Sequence, residues 1–497
     1  MDQYRKPTLD KDLDKFSFVE EATGNLSQRL VAPGIGLIFI VFSGLAATAI
    51  FSGTPGAFVI VVAAVIGAYM ALNIGANDVA NNVGPAVGSR AMTMMTALVI
   101  AAIAESAGAL LAGGDVVSTI SKGIIDPASV ADPSVFTVAM MAALMSSALW
   151  INLATWVGAP VSTTHAIVGG VMGAGIAAAG FAAVSWGTMA QIAASWVISP
   201  VLGGIIAAFF LYQIKVLIIY RVDKIAAAKR WVPVFVAVMA GAFSAYLATK
   251  GLKKIIKIDM EMSMIIGLVV AVLAYLIARP LVAYQARGLE NKNQSLRKLF
   301  KLPLIASATL LSFAHGANDV ANAVGPLAAI VHTAGLGDVA RDVQIPLWVM
   351  AVGALGISFG LLLFGPKLIT MVGGQITKLN PMRAFCVALS AALTVIVASG
   401  LGLPVSSTHI AVGAVFGVGF FREWYTANSK RRQAYMMQKT GRAPKPSRPD
   451  RNREEMVRRK LVRRAHFSTI VAAWIITVPA SAVLSAVLYS VLSVVMG

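Results

Sequence analysis

The chain has 497 residues, 58% of them hydrophobic and 13% charged, with a mean hydropathy of +0.77. Soluble domains carry roughly a quarter charged residues, so this composition excludes a soluble globular protein and implies an integral membrane one. The net charge of +19 would suit a nucleic-acid binder, but the basic residues gather in loops between apolar runs, which favours anionic lipid and no nucleic acid.

In chain order, residues 1–30 hold six acidic and five basic residues and no apolar core, so they read as a solvated cytoplasmic tail and not a cleaved signal. Apolar segments follow at 31–52, 56–76, 93–114, 135–157, 160–182, 188–213, 231–249, 263–286, 302–315, 346–365, 383–400, 404–421 and 466–495. A bilayer core needs about 20 helical residues, which predicts an all-α polytopic membrane protein of about 12–13 transmembrane helices. The single cysteine, Cys386, can form neither an intrachain disulfide nor a cysteine metal cluster.

Charge sets the expected orientation. The stretch 422–464 carries 15 Lys/Arg against 4 Asp/Glu and is assigned to the cytoplasm. The basic loops 214–230 and 287–301 then also fall inside, and 114–134, with three Asp and one Lys, falls outside. Lys250, Lys253, Lys254 and Lys257 fall outside too, against the rule. The N-terminus is expected in the cytoplasm and the C-terminus outside, in a multi-pass protein of the plasma (inner) membrane.

A sequence cassette occurs twice. Gly75-Ala76-Asn77-Asp78-Val79-Ala80-Asn81-Asn82 returns as Gly316-Ala317-Asn318-Asp319-Val320-Ala321-Asn322-Ala323. Pro160-Val161-Ser162-Thr163-Thr164-His165 returns as Pro404-Val405-Ser406-Ser407-Thr408-His409, and Trp196 with Pro200 is echoed by Trp474 with Pro479. An odd number of spans between the copies predicts two inverted repeats, with interrupted helices at a central site. Residues 31–52 form an additional helix, 56–213 the first repeat, 214–301 middle helices and basic loops, and 302–495 the second repeat, including the basic loop 422–465.

The chemistry follows from residue type. Asp78 and Asp319, flanked by Asn77 and Asn81 and by Asn318 and Asn322, offer the oxygen ligands a hard cation wants, so Na+ is expected at the two Asp. The plainer alternative is that these polar groups bind helices together. Hydroxyls of Ser162, Thr163, Thr164, Ser406, Ser407 and Thr408, with the N–H groups of helices starting after Pro160 and Pro404, make an oxyanion site. His165, His409 and His315 stay open between donating to substrate and packing. Glu105, in the middle of a span, is a proton site or a cation ligand. The residues thus describe an ion-coupled anion carrier. An intramembrane hydrolase using His165 or His409 is the remote alternative, weakened by the lack of a nucleophile motif.

At GANDVAN, 75–81 and 316–322, and at PVSTTH and PVSSTH, 160–165 and 404–409, the chain resembles the inorganic phosphate transporter (PiT) family. The resemblance covers about 56–213 and 302–495. It implies uptake of inorganic phosphate by symport with Na+ or H+, a central phosphate site, cation sites at the motif Asp and Asn residues, and no cofactor. Homodimerisation is left open. Sulfate permeases belong to the same family and are the alternative. Family members often carry a second acidic residue in a stretch like that around Glu105; here Ala388 stands where it is expected, which leaves the coupling ion open. At neutral pH phosphate still has a proton to donate and sulfate has none. A rigid buried carboxylate facing the anion therefore favours phosphate by about 10⁴-fold.

Overall fold

The computed structural model describes residues 30–125, 129–130, 132–251, 258–336, 345–375, 379–440 and 464–496. The tail 1–29, Lys253, Lys254, Lys257 and residues 441–463 of the basic loop lie outside them. The described chain is helical throughout, without a β-strand. Its helices in order are α1 (Leu30–Phe51), α2 (Ala57–Gly88), α3 (Met94–Ala112), α4 (Gly114–Lys122), α5 (Pro133–Val157), α6 (Thr163–Ala179), α7 (Trp186–Ile214), α8 (Lys224–Lys250), α9 (Met260–Gln285), α10 (Asn293–Leu299), α11 (Lys301–Asp319), α12 (Ala321–Leu336), α13 (Leu347–Gln375), α14 (Pro381–Gly400), α15 (Ser407–Asn428), α16 (Lys430–Thr440) and α17 (Arg464–Met496).

Side-chain caps start many of them. Asp132, Asp223, Asp259 and Asn380 each accept a backbone N–H of the first turn. Gly158, with φ 79°, ends α5 in the left-handed conformation that glycine adopts without penalty. Among the described residues, ten helices are long and apolar enough to cross a membrane, or eleven if the α10–α11–α12 pair, bent by 44°, is one more. The thirteen segments read from sequence are all helical. The two that fall short are α6, with 17 residues, and α15, whose last two turns carry Arg422 and Glu423. Both begin at the Ser/Thr motifs.

Two expectations about helix ends are corrected. α2 runs unbroken through Asn77, Asp78 and Asn81, and the second motif departs from helix only at Val320, with φ −56° and ψ −31°. The motif glycines serve close packing, not a break: a Cβ on Gly75 would lie 1.9 Å from the Ile357 carbonyl oxygen, and one on Gly316 2.1 Å from that of Glu105. Nor do α6 and α15 start at Pro160 and Pro404. They start at Thr163 and Ser407, because Ser162 and Ser406 act as caps and accept the N–H of His165 and His409 at 3.1 and 3.2 Å.

The two halves pack reciprocally. α2 lies on α13 as α11 lies on α3, and α17 lies on α6 as α7 lies on α15. Gly108 meets the Phe313 carbonyl just as Gly360 meets that of Leu72. The same spacing carries Ser106 onto Ser358, whose hydroxyls are 2.6 Å apart, and carries Glu105 onto Ile357. Ala388, buried in α14, is therefore not the internal counterpart of Glu105. Lys250, which the charge rule disfavours outside, has a partner in Asp115 of the segment expected on the same side.

A contrast between two glycines of one motif tests this packing. Gly75→Ala should destabilise the purified protein by roughly 1–3 kcal/mol through overpacking. Gly84→Ala, which meets nothing within 4 Å, should be neutral or slightly stabilising. Thermal unfolding in detergent measures both.

Candidate functional site

The two cassettes meet at one buried place. Asp78 is 0% exposed, His315 0%, and Glu105 and Asp319 1% each. Carboxylates so far from water need compensation, and hydroxyls from the two Ser/Thr motifs supply it. Thr163 donates to Asp78 Oδ2 at 2.9 Å, and Ser407 donates to Asp319 Oδ2 at the same distance. Thr408 crosses from the second half to donate to Asp78 Oδ1 at 2.7 Å, and accepts from Asn81 at 2.9 Å. In mirror fashion Asn322 donates to Thr164 Oγ1 at 3.2 Å and to Thr163 Oγ1 at 3.2 Å. Thr164 itself donates to the Val405 carbonyl. The N-terminal turns of α6 and α15 thus converge on the two motif helices.

His315 joins the carboxylates. Its Nε2 lies 2.8 Å from Asp319 Oδ2 and 3.6 Å from Asp78 Oδ2, and its Nδ1 lies 3.2 Å from Glu105 Oε2. Asn82, which the sequence reading passed over, donates to Glu105 Oε1 at 2.8 Å. The signal for it was present, since the second motif has Ala323 where the first has this extra amide. Across the pseudo-symmetry the Glu105–His315–Asn82 group faces Ile357, Ile74 and Ala323.

Asn77 has a different setting from the other motif amides. It donates to Thr155 Oγ1 at 3.0 Å and to the Ala159 carbonyl at 3.4 Å, and accepts from the Val161 N–H at 3.3 Å. It thereby fastens the link between α5 and α6. Asn318 donates to the Val405 carbonyl at 3.3 Å. His165 and His409 pack ring to ring at 4.2 Å, and Trp196 and Trp474 stack on their outer faces at 3.8 and 3.6 Å. Among the described residues neither of these histidines is ion-paired to a carboxylate, and the Trp–His–His–Trp stack holds the starts of α6 and α15 together.

Asp78, His315 and Asp319 each aim one ligand atom into a common space, with those atoms within 4.8 Å of one another. Several buried oxygens there have no donor among the described residues: Asn318 Oδ1, Asp319 Oδ1, Asn322 Oδ1 and Asn82 Oδ1. Acceptors without donors suit a hard cation. They concentrate on the second motif, whereas Asp78 has both oxygens satisfied.

A cavity of about 640 Å³ opens beside the first motif, walled by α1, α2, α5 and α13. Its polar groups include Tyr69, Asn73, Asn152, Thr155 and Lys367. Asn152 donates to Asn73 Oδ1, and Thr155 in the cavity wall accepts from Asn77, the chain neighbour of Asp78.

A polytopic helical bundle with two reciprocal halves and paired buried carboxylates between helix starts defines a membrane carrier. Residues 74–485 match the phosphate transporter family. A protein named as a phosphate permease in Helicobacter pylori strain J99 is 44% identical over 95% of this chain and 96% of its own length. A similarly named protein of Pyrococcus abyssi is 35% identical over 87% of this chain and 97% of its own. A solved sodium-dependent phosphate transporter superposes with a TM-score of 0.77 at 34% identity, over 88% of this chain and 100% of that one. The chain belongs to the phosphate transporter family and is a multi-pass transport protein, not an enzyme.

Thr408→Val should cost about 1.5–3 kcal/mol of stability, because it removes a charge-assisted hydrogen bond from a buried carboxylate. Ser406→Ala removes only a helix cap and should cost about 1 kcal/mol. Denaturation midpoints of the two purified variants check the ranking.

Proposed function

We propose that the protein takes up inorganic phosphate by symport with Na+, and that the hydroxyl–carboxylate pairs couple the two ions. The observation that carries this is the set of donor-free oxygens at Asn318, Asp319 and Asn322 beside a carboxylate occupied by the Ser407 hydroxyl. A cation bound there would take over the carboxylate and free the hydroxyl. Thr163, Thr164, Ser407 and Thr408, with the N-termini of α6 and α15, would then donate to the phosphate oxygens. Ser162 and Ser406 would add their caps. Without the cation Thr163, Ser407 and Thr408 stay committed to Asp78 and Asp319, and phosphate would meet carboxyl groups with no cation beside them. Cation first, anion second is the order this chemistry favours.

The sodium-dependent structural relative supports Na+ as the coupling ion. A second reading, H+, draws on His315, whose two nitrogens touch Glu105 and Asp319 and could carry a proton through the same site. The reciprocal packing of the halves supports an inverted repeat, and the basic loops support a cytoplasmic N-terminus in the plasma (inner) membrane. With that orientation the 640 Å³ cavity is the cytoplasmic vestibule, and the Asn77 link its inner gate.

Uptake of labelled phosphate into proteoliposomes, with a sodium or a pH gradient imposed separately, tests the reading. A sodium gradient should drive accumulation and a pH gradient should not. Asp319→Asn should abolish accumulation, while equimolar sulfate should leave the unmodified protein's uptake nearly unchanged. Halving by sulfate would replace phosphate with sulfate as the substrate. In the double variant Thr163→Val, Ser407→Ala, residual phosphate binding should no longer depend on sodium concentration. If it keeps the full sodium dependence, the partner exchange is wrong.

A further inference from the structure

Away from the central site, four cationic side chains close around a pocket of about 240 Å³. Lys215 directly follows the last residue of α7, Arg297 comes from α10, Arg383 from the start of α14 and Arg422 from α15. Asn293 and Asn380 add amides. Lys215 is 8% exposed, and its ammonium lies 4.4 Å from the Tyr425 ring and 5.8 Å from that of Phe421. Among the described residues no carboxylate is within ion-pair distance of it. The nearby acid is Glu423, which acts on Arg422. Arg422, Arg383 and Arg432 all lie close enough to Lys215 to repel it, and Arg297 acts likewise on Arg383.

Lys215 is buried, Arg383 and Arg422 are half-buried and Arg297 is exposed; like charges gathered around a buried lysine oppose folding, so such a cluster is kept where an anion completes it. The first turn of α14 opens toward the same space, with Asn380 capping it by accepting the Arg383 N–H at 3.0 Å and Pro381 following. Its helix dipole adds to the positive field. Arginine forks and a buried lysine are the donors that phosphate oxygens bind best. Three of the four cations, Lys215, Arg297 and Arg422, come from segments the charge bias assigns to the cytoplasm, where anionic headgroups and free phosphate are both found.

We propose that this pocket is a second anion site, separate from the central one, which binds a phosphate-bearing oxyanion: inorganic phosphate, or the headgroup of an anionic phospholipid at the same surface. It goes beyond the transport reading and does not depend on it.

The test uses the full chain, purified in detergent and stripped of lipid, as unmodified protein, Lys215→Met and Arg422→Gln. Thermal midpoints are read in sodium chloride, in inorganic phosphate at equal ionic strength, and with phosphatidylglycerol or phosphatidylcholine added. In chloride Lys215→Met should match or exceed the unmodified protein, since it relieves the repulsion. Phosphate or phosphatidylglycerol should raise the unmodified midpoint by a few degrees more than that of either variant. A difference with phosphate alone names the free ion, and one with phosphatidylglycerol alone names the headgroup. Both results support the site. Equal shifts in all three proteins would overturn it, because any common shift belongs to the central site or the bilayer surface. A Lys215→Met midpoint below the unmodified one in chloride would also overturn it, since the lysine would then be held by the protein itself. If Lys215→Met does not fold, Arg422→Gln decides alone by the same comparison.

Discussion

The fold depends on satisfying the buried carboxyl groups of Asp78 and Asp319 inside a bundle that has almost no water to offer them. A carboxylate there costs several kcal/mol unless donors surround it. The chain supplies these donors at the starts of α6 and α15, where the hydroxyls project from the first helical turns. This explains why two of the thirteen apolar segments are short or polar at one end: they must begin next to the carboxylates. It also explains why Gly75 and Gly316 are needed, since the motif helices reach the centre only by lying against α13 and α3 at backbone distance. The Trp–His–His–Trp stack then fixes the two helix starts against each other.

Duplication gave this site two similar halves, but they are not chemically equal. The Glu105–His315–Asn82 group is polar and charged, and its counterpart Ile357–Ile74–Ala323 is wholly apolar. The α3–α11 face therefore carries a carboxyl group and an imidazole that the matching α2–α13 face lacks. A site with perfect two-fold symmetry would hold two equivalent cations. This one offers donor-free oxygens chiefly around Asp319, so a cation would sit off the symmetry axis, on the side nearer His315.

Much of this was legible in the sequence because the carrying residues repeat. Asp78, Asp319 and the Ser/Thr hydroxyls were found as duplicated polar groups in apolar segments, and they do meet. Three features were not legible, each for a physical reason. Pro160 and Pro404 suggested helix starts, but a capping serine two residues later satisfies the first turn better than a proline can. The glycines suggested interruptions, because sequence does not distinguish a glycine that bends a helix from one that admits a neighbour. The counterpart of Glu105 depends on which helix packs against which, and no periodicity encodes that. The basic pocket was hidden for the same reason: its four cations come from helical segments far apart in the chain, each unremarkable alone.

The helix outside the duplicated core has a reason in the same symmetry. α2 and α13 form one face of the bundle, and α3 with α11 form the matching face of the other half. The second face is covered by α8, with Phe243 against Phe313 at 5.0 Å. Without α1 the first face would lie bare; α1 covers it, with Phe39 against Phe359 at 5.2 Å and Gly36 near Phe364 and Leu72. The two covers enclose different spaces. Beneath α8 the cavity of about 480 Å³ is lined by Ile100, Ile103, Met239 and Phe313, with little to hold water. Beneath α1 the space contains Asn73, Asn152 and Lys367. An exposed asparagine amide is unfavourable against hydrocarbon but ordinary against water, so the α1 side is the wet one. On the transport reading proposed above, a polar solute would approach Asn77 from there, whereas the space beneath α8 is lined almost wholly by apolar side chains. An arrangement with one wet and one dry approach to a central pair of carboxylates is what a carrier presents when it is open to a single side.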